Sequence, residues 1–326
     1  MDKKTLVILE KDKTVAANNF QFRIYNKKDL IKTLPSNLIQ DIILHIDNNI
    51  KPSFLKLCSK LKIPIYFINK NGKYYGSYFS GNSKNIFLRE SQYKKRLDLN
   101  FVLNFSKAIV MGKRNSQLWV LKSIDKKANL PEVELNGLYS KNSILGIEGT
   151  IAQSYWLKFA SIIKNKDFNF IHRTKNPPRD EINSLLSYGY VLLVSKIITN
   201  ILLVGLDPFM GFYHEINYRR PSLALDMMEE FRPIAVDKLV LNLINNRRIK
   251  KEDFENYYGV YFLKKKPRAF FIKEWLDWWY KKQFYIKQFK EKLTLNELSL
   301  YQIRILAKTL IGELENYVPL NMRGSI

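Results

Sequence analysis

Two short stretches hold the residues best able to do chemistry. "GFYHEINYRRPSLALDMMEEFRP", Gly211 to Pro233, gathers His214, Asp226, Glu229 and Glu230 beside Arg219, Arg220 and Arg232. "SILGIEGTIAQSYW", Ser143 to Trp156, sets Glu148 between Gly146 and Gly149 in an otherwise apolar run. Pro221 suits a first helical turn, where its missing N–H costs nothing. On that helix Asp226 shares a face with Glu229 at a spacing of three, and equally with Glu230 at four. Leu223, Met227 and Phe231 form an apolar stripe that packs inward. His214 follows a turn marked by Gly205, Asp207, Pro208 and Gly211, which is able to fold the imidazole back over the helix.

Carboxylates with one imidazole are the beginnings of a divalent-metal site. Carboxylates suit Mg²⁺ or Mn²⁺, and the histidine shifts the balance toward Mn²⁺. No His/Cys zinc spacing is present. A lone histidine beside two acids is also a common surface hydrogen bond. Two helical glycines cost roughly 1 kcal/mol each relative to alanine, tolerable where something must approach the backbone closely. Glu148 on such a segment needs a counter-charge. A metal shared with His214 and Glu229 would supply one, and so would a lysine or arginine.

The elements that must position these groups fall into two halves. "TLVILE", "FQFRIYN", "DIILHI", "PIYFIN" and "YYGSYF" are short, β-branched and aromatic, and read as strands. Asn71-Gly72 reads as a hairpin turn, and Pro52 to Leu61 as one helix. From Ile86 the apolar spacing turns helical. Helices are expected over 86–122, 143–163, 180–204, 221–230, 234–245, 268–289 and 296–317. The fold class is therefore α+β: a small N-terminal β-domain, 1–82, followed by a larger all-α domain, 83–326.

Lys plus Arg number 54 and Asp plus Glu 30, a formal charge of +24. A balance this one-sided favours a polyanionic partner, nucleic acid first, although a Lys-rich solvated surface gives the same count. Cys58 is the single cysteine, so no intrachain disulfide forms. "YVLLVSKIITNILLVGL" is interrupted by Lys196 and Asn200 and reads as a core helix, not a membrane span. The absence of a targeting signal points to the cytoplasm.

"GIEG" around Glu148, "NSLLSYGY" (Asn183 to Tyr190), "GLDPFMGFYHE" (Gly205 to Glu215), "RPSLALDMMEEFRP" (Arg220 to Pro233) and "YVPLNMR" (Tyr317 to Arg323) together resemble the CRISPR-associated integrase family. These endonucleases insert new spacers into CRISPR arrays. "GIEG" alone would carry no weight, whereas the set in this order is specific and covers most of the helical half. The resemblance implies metal ligands at Glu148, His214 and Glu229, with Asp226 as a further acidic group of the catalytic site. It selects Glu229 over Glu230, which spacing leaves open. It also implies attack of a DNA 3′-hydroxyl on a phosphodiester of the repeat, with double-stranded DNA as both incoming spacer and target. It implies a homodimer formed through the β-domain and a small ferredoxin-like CRISPR-associated partner.

Lys113, Arg114, Arg173, Lys175, Arg179, Arg219, Arg220 and Arg232 lie near the motifs and are the expected phosphate contacts. Tyr188 is expected to line the site on the strength of the resemblance. The aromatic and basic residues of 264–290 suit frayed DNA ends, but Phe271, Trp275, Trp278 and Trp279 have helical spacing and read mostly as core. Two other readings remain: a metal-dependent nuclease of branched or single-stranded DNA in repair, and a non-catalytic nucleic-acid-binding protein.

Overall fold

The computed structural model describes residues 4–69, 74–78, 85–135, 137, 140–175, 177–287 and 289–322. The chain divides into two compact units, Met1–Asn82 and Ser83–Ile326. The hairpin turn expected at Asn71-Gly72 lies outside the described residues, as does Arg323.

The first unit pairs β1 (Lys4–Ile8), β2 (Lys13–Asn18), β3 (Gln21–Asn26), β4 (Asp29–Pro35), β5 (Ile39–His45), β6 (Asn49–Ile50), β7 (Ile65–Ile68) and β8 (Tyr74–Tyr78) into two four-stranded sheets, with helix α1 (Pro52–Leu61) between β6 and β7. One sheet runs β1-β5-β7-β8 and the other β4-β3-β2-β6. β5 lies between β1 and β7, parallel to both, and is buried over most of its length. Two-sided burial explains its continuous apolar run. Strands β2 and β4 were not expected from the sequence. β4 is lysine-bearing and exposed, so no inward alternation marks it. α1 starts on Pro52 and ends at Lys62, which adopts the left-handed conformation. Phe22, Phe54, Cys58, Ile42 and Ile65 fill the core of this unit.

The second unit contains α2 (Ile86–Leu97), α3 (Leu99–Lys122), α4 (Lys141–Ser161), α5 (Glu181–Val204), α6 (Ser222–Met228), α7 (Lys238–Asn245), the hairpin β9 (Phe254–Tyr257) and β10 (Val260–Leu263), α8 (Lys265–Tyr280), the hairpin β11 (Gln283–Ile286) and β12 (Glu291–Thr294), and α9 (Leu295–Leu310). The helix expected over 86–122 breaks at Asp98, which is extended and accepts the Phe101 N–H at 3.1 Å as the cap of α3. The helix expected over 268–289 stops at Tyr280. Beyond it Phe284 and Ile286 are buried between exposed Gln283 and Tyr285, the period-two pattern of a strand. The second half is thus helical with two small hairpins. A π-helical turn, Pro233–Asp237, joins α6 to α7.

α5 is the one helix among the described residues long and apolar enough to cross a membrane, with mean hydropathy 1.6. It packs against α6, α7, α9, β10 and the π turn. Lys196 is buried on it, and Asn200 donates to Ser299 at 2.6 Å. Those are the surroundings of a protein core. Asp180 caps its start and Gly205, with φ 105°, stops it. Gly205 opens the loop that carries His214.

Candidate active site: acids, an imidazole and a buried ammonium

α6 is short, and its buried residues anchor it under the loop 205–221. Asp226 is fully buried and points at that loop. Its Oδ2 accepts the backbone N–H groups of Phe212 at 2.7 Å and Tyr213 at 3.0 Å, and its Oδ1 accepts that of His214 at 2.7 Å. Oδ1 also lies 2.8 Å from His214 Nδ1. One carboxylate therefore shapes the loop and fixes the ring. Gly211 makes the approach possible, because a Cβ there would stand 2.6 Å from the backbone of Ser222 and 2.8 Å from Asp226 Oδ2. With Nδ1 held by Asp226, Nε2 is turned toward Glu229, 3.9 Å from Oε1.

Glu148 comes from α4, Glu229 from the turn after α6 and Lys113 from α3. The Lys113 ammonium pairs with Glu148 and lies 2.7 Å from Glu229 Oε2. Arg232 closes the other side, 3.0 Å from Glu229 Oε1. The Tyr213 hydroxyl donates to Glu148 Oε2 at 3.4 Å. Glu229 is buried, and desolvation alone would raise its pKa. Arg232, Lys113 and His214 outweigh that and hold it at about 2. Burial opposes the charge on Lys113, but Glu229 and Glu148 raise its pKa.

Among the described residues no three His, Cys, Asp or Glu side chains already converge as a ligand cage. The position between Glu148 and Glu229 is filled by Lys113. The donor set nonetheless fits a hard divalent ion: two carboxylates meet at one cationic point, and an imidazole nitrogen faces one of them. Glu229 Oε2 is buried and, although the Lys113 ammonium lies beside it, receives no well-aligned hydrogen bond.

Glu230 does not face this point. It accepts from the Tyr317 hydroxyl at 2.7 Å, from Leu320 N–H at 2.9 Å and from Gln302 Nε2 at 3.3 Å. Burial raises its pKa to about 7 despite these donors. Behind the site, buried Asp237 accepts from Tyr190 at 2.6 Å and Tyr155 at 2.8 Å, and burial raises its pKa to about 6. Two guanidiniums lie over the Tyr190 ring, Arg173 at 5.3 Å and Arg232 at 5.1 Å from its centroid. The sequence reading missed Tyr213, Tyr190, Glu230 and Asp237. Glu230 was named only as the alternative to Glu229, Tyr190 and Tyr213 lay inside quoted stretches without being singled out, and nothing marked Asp237.

The expected phosphate contacts separate. Lys113 sits inside the acid cluster, not on the surface. Arg114 is buried and donates to the carbonyls of Pro131 at 2.8 Å and Leu130 at 3.1 Å, so it ties down the loop after α3. Arg173 donates to Asn183 at 2.8 Å and Ser187 at 2.9 Å. Lys175 is near enough to feel Arg232, Glu229 and Lys113, although burial is the first cause of its lowered pKa. Arg179 and Arg219 are exposed and Arg220 half-buried. Tyr188 is buried with its ring on Phe271, centroids 6.1 Å apart, and joins the core. Among the described residues, nothing lies within 4 Å of the Gly146 and Gly149 faces, and this side of α4 beside Glu148 is exposed.

A β-unit is followed by a helical unit that carries a histidine–carboxylate–ammonium cluster. The chain belongs to the CRISPR associated protein Cas1 family, whose profile matches residues 6–277. It is 33% identical over 300 residues to CRISPR-associated endonuclease Cas1 3 of Thermus thermophilus, covering 91% of this chain and 90% of that one. It is 38% identical over 251 residues to CRISPR-associated endonuclease Cas1 of Leptospira interrogans, covering 71% and 98%. The solved Cas1 protein of Thermotoga maritima superposes with TM-score 0.81 at 25% identity, covering 95% and 97%. A casposase bound to integration product shares the fold with TM-score 0.85 at 24% identity, covering 98% and 93%. So does a chain of a Cas6-RT-Cas1–Cas2 complex, with TM-score 0.77 at 19% identity, covering 98% of this chain and 36% of that one.

Proposed function

We propose that this protein is a metal-dependent DNA endonuclease and integrase that inserts spacer DNA into CRISPR arrays. The observation that carries the reading is the convergence of Glu148 and Glu229 on one cationic position beside His214, whose ring Asp226 holds. Glu148, Glu229 and His214 Nε2 would hold Mg²⁺ or Mn²⁺. Bound there, the ion would act as a Lewis acid on the scissile phosphodiester.

The chain's own groups do the rest. Asp226 sits on the Nδ1 side of His214 and orients the ring so that Nε2 faces Glu229, where it could serve as a ligand atom. Arg232 and Arg173, both stacked on Tyr190, and Lys175 near Arg232 offer positive charge to the phosphates. Gly146 and Gly149 leave the α4 surface clear for a DNA backbone. Attack by a DNA 3′-hydroxyl gives transesterification, and attack by water gives hydrolysis. The charge of +24 supports long-range attraction of DNA. Dimerisation is assigned to the β-domain, where Leu30 and Ile31 stand exposed on β4. The fold shared with the Cas1 chain of a Cas1–Cas2 complex supports a small ferredoxin-like partner, and the activity is placed in the cytoplasm.

The test is strand joining between a short duplex with free 3′-hydroxyls and a supercoiled plasmid carrying a CRISPR array, with Mn²⁺ or EDTA. Joining is expected with Mn²⁺ only, and lost in His214→Ala and Glu148→Ala. Joining that survives either substitution would move the chemistry elsewhere. Metal-dependent cutting without joining, even with the partner added, would favour a repair nuclease.

A further inference from the structure

Lys113 is a charged residue of the cluster to which the proposed chemistry assigns no role. Its ammonium touches both Glu148 and Glu229, the two carboxylates proposed to hold the metal. It is enclosed, with 13% of its side chain exposed, against 3% for Glu229. The two carboxylates Glu148 and Glu229 are already matched by Lys113 and Arg232, with Asp226 on His214 as one further negative charge. A divalent ion added to that arrangement would leave the site with a net positive charge in a poorly solvated place, which is unfavourable.

The backbone beside Lys113 packs tightly against Glu230. Gly112 presses on Glu230, so closely that a Cβ would collide with its carboxylate. Glu230 is itself pinned by Tyr317 and Leu320. Only the side chain is free to move, and the four-carbon stem of lysine allows the ammonium to swing while the helix stays fixed.

We propose that Lys113 occupies the metal position in the metal-free protein, that ammonium and divalent cation compete for Glu148 and Glu229, and that DNA phosphate relieves the competition by receiving the ammonium. Metal and DNA then bind with positive coupling, and by linkage each raises the affinity of the other. Lysine suits this exchange better than arginine, whose planar fork would stay bidentate on the carboxylates. The inference rests on the proposed metal site.

The experiment measures Mn²⁺ affinity from the electron paramagnetic resonance of the free ion, with and without a short DNA duplex. The full chain is compared as wild type, Lys113→Met, Lys113→Arg and Glu148→Ala. Lys113→Met is expected to bind Mn²⁺ on the order of ten-fold tighter than wild type without DNA, and to lose most of the tightening that DNA produces. Lys113→Arg is expected to bind no tighter than wild type. Mn²⁺ binding that Lys113→Met leaves unchanged or weakens would overturn this inference alone. Absence of any Glu148-dependent Mn²⁺ binding in the wild type would overturn the metal site and this inference with it. If Lys113→Met fails to fold, wild-type protein decides the matter through mass-spectrometric mapping of an amine-reactive reagent. Labelling of Lys113 should rise when Mg²⁺ is added, and unchanged labelling would refute the exchange.

Discussion

His214 Nδ1 lies 2.8 Å from Asp226 Oδ1, and the same carboxylate accepts three consecutive backbone N–H groups of the loop that carries the histidine. Asp226 thus acts through His214, as a positioning residue. The substitution Asp226→Asn keeps the size but replaces one acceptor oxygen with a donor that must face a donor. A loss of roughly 1–3 kcal/mol of stability is expected for the mispaired buried group. Mn²⁺ affinity and strand joining should fall by about 10–100-fold, as for other residues that orient a metal-binding histidine. Thermal unfolding and metal titration would check both, and unchanged metal affinity would show that His214 needs no such support.

Gly112 has no Cβ because the Glu230 carboxylate lies where one would stand. Gly112→Ala should destabilise the protein by about 1–3 kcal/mol through overpacking. Urea unfolding would measure it. An alanine tolerated without loss would mean that α3 is freer to shift than its packing indicates.

Glu230 gives a pH signature. Its pKa is raised to about 7 in the folded protein by burial, from a model-peptide value of about 4.3 when unfolded. The folded state then binds more protons than the unfolded state between these values. Its stabilising contribution is complete at low pH and is lost as pH rises through about 7. Glu230→Gln, which stays neutral, should gain in melting temperature relative to the wild type as pH rises from about 4 to 8, whatever the fixed cost of its amide N–H groups facing the Tyr317, Gln302 and Leu320 donors. Parallel melting curves for the two proteins across that range would contradict the assignment.

Lys196 is buried in α5 with its ammonium over the Tyr280 ring at 5.2 Å, and burial lowers its pKa well below the usual lysine value. A lysine depressed in this way costs most stability at low pH and least once pH exceeds its ordinary value. Lys196→Met fills similar volume without a charge. It should raise the melting temperature, with the larger gain at pH 6 than at pH 9 in calorimetry. A loss of stability at both would mean that the ammonium contributes a needed contact.

Much of the architecture was legible because local periodicity is a local property. The change from short alternating strands to helical spacing near Ile86 follows from which side chains each element must bury, and Asp180 and Gly205 punctuate α5 as their chemistry requires. Reading failed where a pattern was shared. The tryptophans of α8 carried the expected helix across Phe284 and Ile286, whose alternation belongs to β11. β4 lacked a buried face to announce it.

The sequence by itself determined the types of group available for chemistry and their local order: His214, then Asp226, Glu229 and Glu230 in one segment, and Glu148 between two glycines. The tertiary structure decided what each does. Glu229 and Glu230 are adjacent and chemically identical, yet one meets Lys113 and Arg232 while the other meets Tyr317, Gln302 and Leu320. Neighbouring Lys113 and Arg114 part in the same way, one into the acid cluster and the other onto the carbonyls of Leu130 and Pro131. Helical spacing fixes the direction of a side chain on its own helix, but the charge it meets, and so its pKa and function, comes from segments brought beside it by burial of the core.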